Sequence, residues 1–173
     1  MRRRVRSKKE VDVLWTKIEK AFTVIYEQRT STLKYQELFD VFHIITISKF
    51  GQCIEKKLRS SFEEVVRGTA GELKLEEEDL VNRFCTAMRK YIHLIDKIKK
   101  IAIYYDSRYV LNNEDGVPSA LIGYVALRET FRKEGLLERI VDQLIKMVHA
   151  MRVGDYLNKL RLREAIHLFV SRF

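Results

Sequence analysis

Across 173 residues the chain holds a single proline, Pro118, and on either side of it apolar residues recur every three to four positions. Turns and hairpins draw heavily on proline and glycine. With one proline and seven glycines, the chain lacks the punctuation of an all-β fold, and the periodicity predicts long helices. Hydrophobic residues make up 46% of the sequence and charged residues 33%, a balance that supports a packed core. The length suits one domain, or one helical repeat unit and part of the next. The expected class is all-α. No apolar run approaches the roughly 20 residues that span a bilayer. The basic start Met1-Arg2-Arg3-Arg4 leads into no apolar stretch of the kind a secretory signal needs.

Six of the first nine residues are arginine or lysine, so residues 1–10 read as a mobile basic arm. From Val11, the residues Leu14, Trp15, Ile18, Phe22 and Ile25 keep helical spacing. That helix should fade at Arg29-Thr30-Ser31-Thr32, where hydroxyls compete for backbone hydrogen bonds. A second helix is expected from Leu33 or Tyr35 to Phe50, closed by Gly51. A third runs from Gln52 to about Arg67, ended by a loop at Gly68-Thr69-Ala70-Gly71. Glu76 to Asp79 then place negative charge at the start of the next helix, its favourable end. Leu80 to Val110 is helical throughout, as one long helix or two joined by a tight bend. Residues 112–118 form the strongest loop signal. Helices follow at Ser119–Lys133, Leu136–Met151 and Leu160–Phe173. In the last, Ala165, Ile166, Phe169 and Val170 stop in mid-pattern without a cap. It reads either as a chain cut inside a larger architecture or as an ordinary C-terminal helix.

The second helix is unusual because it carries two stripes. Leu38, Val41, Phe42, Ile45 and Ser48 form one, which should face the core. Tyr35, Phe39 and His43, each four apart, form another on a different side. A surface helix needs only one apolar stripe. Either this helix is central and buried on both sides, or the second stripe has a partner of its own.

A search for chemistry returns little. Cys53 and Cys85 are too far apart in sequence to suggest a metal site and too few for a disulfide framework. A reducing compartment, cytosol or nucleus, is the expectation. No two of His43, His93, His149 and His167 have the i, i+4 spacing of a helical zinc pair. The Gly68–Gly71 stretch lacks the Gly-Lys-Ser/Thr ending of a phosphate loop, and no serine sits in a G-x-S-x-G elbow. No catalytic, cofactor or metal site is expected, and the chain reads as a non-enzyme.

The formal charge is +9, from 33 basic and 24 acidic residues. A basic helical module for nucleic acid is therefore a second reading, with Lys97, Lys99 and Lys100 near Tyr91, Tyr104 and Tyr105. Interleaving of the two signs, in place of one basic stripe, argues against it.

Five segments, in order along nearly the whole chain, resemble the N-terminal region of cullins. Trp15 and then Leu33, Tyr35, Glu37-Leu38-Phe39 and Lys49-Phe50-Gly51 match the family's first helices without a gap. Ile103 to Val110 (IYYDSRYV) is similar to the Tyr-x-Asp-Arg-x-Tyr-Val ending of helix five. Ile122 to Arg128 (IGYVALR) is similar to the opening of a second repeat, and Arg152 to Ile166 to the segment after it. Within the family the chain looks closest to the branch called cullin three, which binds BTB-domain adaptors; the insertion found in binders of Skp-type adaptors is missing around Lys49–Gly51.

The resemblance implies a first five-helix repeat over residues 11–111, a loop at 112–118, and the truncated start of a second stacked repeat at 119–173. It implies a scaffold for a ubiquitin ligase, with a RING subunit only if a C-terminal domain exists outside this chain. It also assigns the second stripe to adaptor docking: Leu33, Tyr35, Gln36, Phe39, Asp40 and His43, with Tyr104 and Ser107 beside them. Asp40 and Ser107 stand where the family often has arginine, His43 where it has tyrosine, and Met88 where it has tryptophan. A helical interaction protein unrelated to ubiquitin is a third reading; it keeps the exposed stripe but binds neither type of adaptor.

Overall fold

The computed structural model describes residues 4–75, 79–153 and 159–173. Among these are seven α-helices: α1 (Lys8–Tyr26), α2 (Tyr35–Ile47), α3 (Gly51–Leu75), α4 (Leu80–Ile101), α5 (Ser119–Lys133), α6 (Leu136–Arg152) and α7 (Lys159–Arg172). The described residues contain no strand, and the all-α expectation holds. No helix is long and apolar enough to cross a membrane among the described residues.

Ser7 opens α1. Its Oγ accepts the Glu10 backbone N–H at 3.3 Å, and the Glu10 carboxylate accepts the Arg6 N–H at 3.3 Å. This is a Ser-x-x-Glu cap in which the glutamate reaches one residue past the N-cap Ser7, and it makes Lys8 to Glu10 the first helical turn. The arm expected over residues 1–10 is shorter for that reason. Val5 shortens it further: its side chain is 7% exposed, and its N–H donates to Ser48 Oγ at 2.9 Å, near the end of α2. Arg2 and Arg3 lie outside the described residues.

The inward face of α1 buries Val11, Trp15, Ile18, Phe22 and Ile25. Trp15 ties three helices together. Its indole N–H donates to Ser61 Oγ of α3 at 3.3 Å, and its ring meets Phe42 of α2 edge-on at 5.5 Å. Burying such a ring is worth on the order of 4 kcal/mol of transfer free energy.

α3 runs straight through Gly68 and Gly71, where a loop was expected. A Cβ at either would meet nothing within 4 Å, so both face outward. The inner face between and beyond them buries Thr69, Ala70 and Leu73. Each glycine costs about 1 kcal/mol in a helix, while burying Leu73 alone returns on the order of 2 kcal/mol. Thr69 adds two bonds, from Oγ1 to the Val65 carbonyl at 2.9 Å and with the Tyr26 hydroxyl at 2.7 Å.

α4 buries Phe84, Met88, Tyr91, Leu94, Ile95 and Ile98 and ends at Ile101, so the helical stretch expected over Leu80 to Val110 is two pieces joined by a tight bend at Ala102. Beyond that bend the helix first widens and then tightens. Tyr105–Tyr109 forms a π turn and Val110–Asn112 a 3₁₀ turn. This stretch follows α4 across the bend. Its last carbonyls are capped by the loop: Asn112 Nδ2 donates to the Arg108 carbonyl and Asn113 Nδ2 to the Tyr109 carbonyl, both at 2.6 Å. Of the acidic run expected before α4, Asp79 stands at the N-cap position of α4, and residues 76–78 lie outside the described residues.

α5 packs most extensively on α3. A Cβ at Gly123 would lie 2.9 Å from Ile95 Cγ1 and 3.1 Å from Phe62 Cζ, and the Tyr91 hydroxyl donates to the Gly123 carbonyl at 2.9 Å. That close approach accounts for the glycine in the Ile122–Arg128 motif. α7 returns to α4, where Arg89 grips Glu164 with two bonds of 2.6 and 3.1 Å. Phe173 stacks on Phe131 and on Phe169, each at 5.3 Å. The expected stripe on α7 divides: Ala165 is buried, while Ile166 and Val170 are 39% and 75% exposed. Residues 154–158 of the Arg152–Ile166 motif lie outside the described residues.

Candidate functional site

α2 ends at Ile47, three residues short of its expected end, and Gly51 is the first residue of α3, not a cap. Between them Lys49 adopts a left-handed backbone with φ of 67°, a conformation that costs a non-glycine residue about 1 kcal/mol. Gly51 has a separate reason to be glycine. A Cβ there would run into the Tyr109 ring. The ring lies on the first turn of α3 and stacks on Tyr105 at 5.4 Å. Tyr105 is itself buried, and its hydroxyl donates to the Val117 carbonyl at 2.9 Å. Burial, then nearby Glu55, pushes that hydroxyl far up, so it stays protonated as a donor. Asp106 accepts the Ser119 N–H at 2.8 Å and its Oγ–H at 2.7 Å, capping α5 with a carboxylate from the π turn.

The π turn is thus clamped on two sides, and Tyr104 just before it is pressed against α2. Its ring meets Phe39 at 5.4 Å and His43 at 4.4 Å, both edge-on. One turn earlier on α2, the Tyr35 ring carries the Lys97 ammonium at 5.4 Å, a cation–π contact from α4. On α2 the inner stripe of Leu38, Val41, Phe42 and Ile45 is buried. The outer stripe of Tyr35, Phe39 and His43 is half-buried. So α2 is not covered on both sides: the second stripe leans on Tyr104 and Lys97 along one edge and is open along the other.

Of the eight residues assigned to docking, Phe39, His43 and Tyr104 form one aromatic cluster. Gln36 and Asp40 are exposed beside it and bonded to each other, Nε2 to Oδ1 at 3.0 Å. Leu33 and Tyr35 are half-buried against the core's edge. Ser107 is exposed on the outer side of the π turn. There it joins Ile103 and Leu111 in lining a separate cleft of about 540 Å³. Glu37, between the stripes, pairs with Lys34 at 3.2 Å and Lys17 at 3.5 Å, and the Lys34 ammonium first of all holds its carboxyl below the usual value. Lys97 was missed from sequence as a neighbour of Tyr35. Nothing in the local sequence signals that contact, because it depends on α2 and α4 lying side by side.

The described residues contain no group of three or more histidine, cysteine or carboxylate side chains able to hold a metal. What the described residues do form is a bundle of seven α-helices with an aromatic cluster where α2 meets the π turn. The chain matches the family model described as "Cullin alpha solenoid domain" over residues 15–172, and it belongs to the cullin family. It is similar to Cullin-3 of Caenorhabditis elegans, with 21% identity over 164 residues that cover 91% of this chain and 21% of that relative. The chain therefore spans about a fifth of that relative's length.

Proposed function

We propose that this chain is the gripping end of a cullin–RING ubiquitin ligase scaffold in the cytoplasm and nucleus. It has no active site of its own and docks a substrate adaptor, BTB-type in preference to Skp-type, on the α2–Tyr104 face. The observation that carries this reading is the open edge of the Tyr35–Phe39–His43 stripe, with Phe39 and His43 held from behind by Tyr104 and Tyr35 by Lys97. Aromatic anchors of restricted mobility, ringed by the polar Gln36 and Asp40, are what a protein interface concentrates at its centre. The face would bury about 800 Å² per partner in an interface of ordinary size.

The mechanism is positioning. A stiff helical stack holds the adaptor at one end, and a RING subunit on a domain outside this chain would hold the activated ubiquitin. Rate comes from the raised effective concentration of acceptor lysines. Pull-down of partners from cells with wild type and with the Tyr35→Ala, Phe39→Ala double variant tests it. The reading expects a BTB or Skp-type protein with wild type only. Equal recovery by both, from variants of equal thermal stability, removes the site.

A further inference from the structure

The chain before α1 is seated by one residue. The Val5 side chain is 7% exposed, and its N–H donates at 2.9 Å to Ser48 Oγ. Ser48 closes α2 and donates in turn to the Ile44 carbonyl at 2.7 Å. Arg4 and Arg6, on either side of Val5, are exposed. A terminal segment held by one valine and one hydrogen bond opens far more readily than the helices beneath it.

Ser7 follows this seat. Its backbone is extended, with φ of −143° and ψ of 158°, and it is only half-buried. Its hydroxyl bonds are long, 3.3 Å from the Glu10 N–H and 3.5 Å to the Glu10 carboxylate. The flanks set this hydroxyl apart. Arg4 lies three places before it and Arg6 one place before, and Lys8 and Lys9 follow. No other serine or threonine in the chain has a basic residue at all four of those places. Thr32 and Thr86 also follow an arginine by three. But Thr32 Oγ1 donates to the carbonyl of its own arginine, Arg29, at 3.3 Å, and Thr86 lies inside α4.

This is the charge pattern that arginine-directed serine/threonine kinases select. Carboxylates in their substrate channel pair with a guanidinium ahead of the acceptor, and the acceptor hydroxyl must lie in line with the γ-phosphate. An exposed Arg4 and an extended Ser7 meet both demands, while the buried Val5 between them does not. We propose that Ser7 is a phosphorylation site for a kinase of this class, and that the seat of Val5 against Ser48 gates it. In the transfer from ATP, a bond forms between Ser7 Oγ and the γ-phosphorus. The bond from that phosphorus to the β,γ-bridging oxygen breaks, ADP leaves, and the hydroxyl proton passes to the kinase's catalytic carboxylate. The phosphate lowers the side-chain charge of residues 1–9 from +6 to about +4. It also repels the Glu10 carboxylate, which accepts the Arg6 N–H at 3.3 Å. The arm loses that tether too, and phosphorylation holds open the seat it needed open.

The test incubates the whole chain with magnesium, ATP and a purified calmodulin-dependent kinase that prefers arginine three places ahead of the acceptor. Mass spectrometry locates the phosphate and times its arrival. One phosphate at Ser7 is expected, and Arg4→Ala should slow it by about tenfold. Ser48→Ala removes the acceptor of the Val5 N–H and should speed it by about fivefold, because the competent fraction grows by the worth of one hydrogen bond. Val5→Ala empties the seat without touching α2 and should also speed it, which keeps the gate testable should Ser48→Ala fold poorly. In the phosphorylated chain, hydrogen exchange at the Val5 amide should quicken by about fivefold. Phosphate at Thr32 or Thr86 in place of Ser7, or an unchanged rate with Arg4→Ala, overturns the site. Rates in Ser48→Ala and Val5→Ala equal to wild type, with the folded state intact, overturn the gate.

Discussion

Replacing Gly51 by alanine should couple the start of α3 to the π turn in a measurable way. The added methyl would overlap carbons of the Tyr109 ring, and these include the inner ring atoms, which cannot move away without moving the whole ring. Tyr109 must then leave its stack on Tyr105. Losing an aromatic pair costs about 0.5–1.5 kcal/mol beyond buried area, and overpacking of this kind costs about 1–3 kcal/mol in all. The gain in helix propensity is small at the first residue of a helix, so we expect a net loss of about 2 kcal/mol. Trp15 is the sole tryptophan and is fully buried, which makes its fluorescence a direct probe in urea unfolding. The decisive comparison is a double-mutant cycle. With Tyr109→Ala already present, Gly51→Ala should cost within about 0.5 kcal/mol of nothing, giving a coupling of roughly 1.5–2 kcal/mol. An equal cost of Gly51→Ala with and without Tyr109 would refute the reasoning.

Asp106→Ala removes both bonds to Ser119 and should destabilise the chain by about 1–2 kcal/mol, with hydrogen exchange rising first in the opening turn of α5. Tyr35→Phe removes a buried hydroxyl that has no hydrogen-bond partner among the described residues. Calorimetric unfolding should show stability unchanged or up by roughly 0.5–1 kcal/mol, and a loss of more than that would reveal a bond. Arg89 holds the Glu164 carboxyl below its ordinary value of 4.5. A lowered carboxyl adds stability that is full above that ordinary value and disappears as pH falls through the lower folded one. Both side chains are partly exposed, so the amount is under about 1 kcal/mol. Glu164→Gln should therefore flatten the pH dependence slightly below pH 4.5 and change little at neutral pH, as acid titration of unfolding would register.

The helices with one clean stripe were legible in sequence. Val11, Trp15, Ile18, Phe22 and Ile25 are buried as their spacing predicts, because a 3.6-residue period has few other uses. Gly68 and Gly71 misled, since composition alone does not say which face of a helix a glycine occupies, and here both face solvent. The π turn was not legible either. It depends on one widened turn that brings Tyr105 to the core and Tyr104 to α2, and no local propensity encodes that. The second stripe of α2 could be seen, but not whether it was covered; that depended on where α4 lay. Its placement beside Tyr104 followed from the resemblance to cullins.

In the proposed function the Tyr35–Phe39–His43 face grips an adaptor. Titration calorimetry of the chain against a purified BTB-domain adaptor tests it most directly, run for wild type, Tyr35→Ala and Phe39→Ala with thermal unfolding measured alongside. Binding by wild type and a loss of about 2 kcal/mol or more in at least one variant of native stability is the predicted result. Binding that is unchanged in both variants would contradict it.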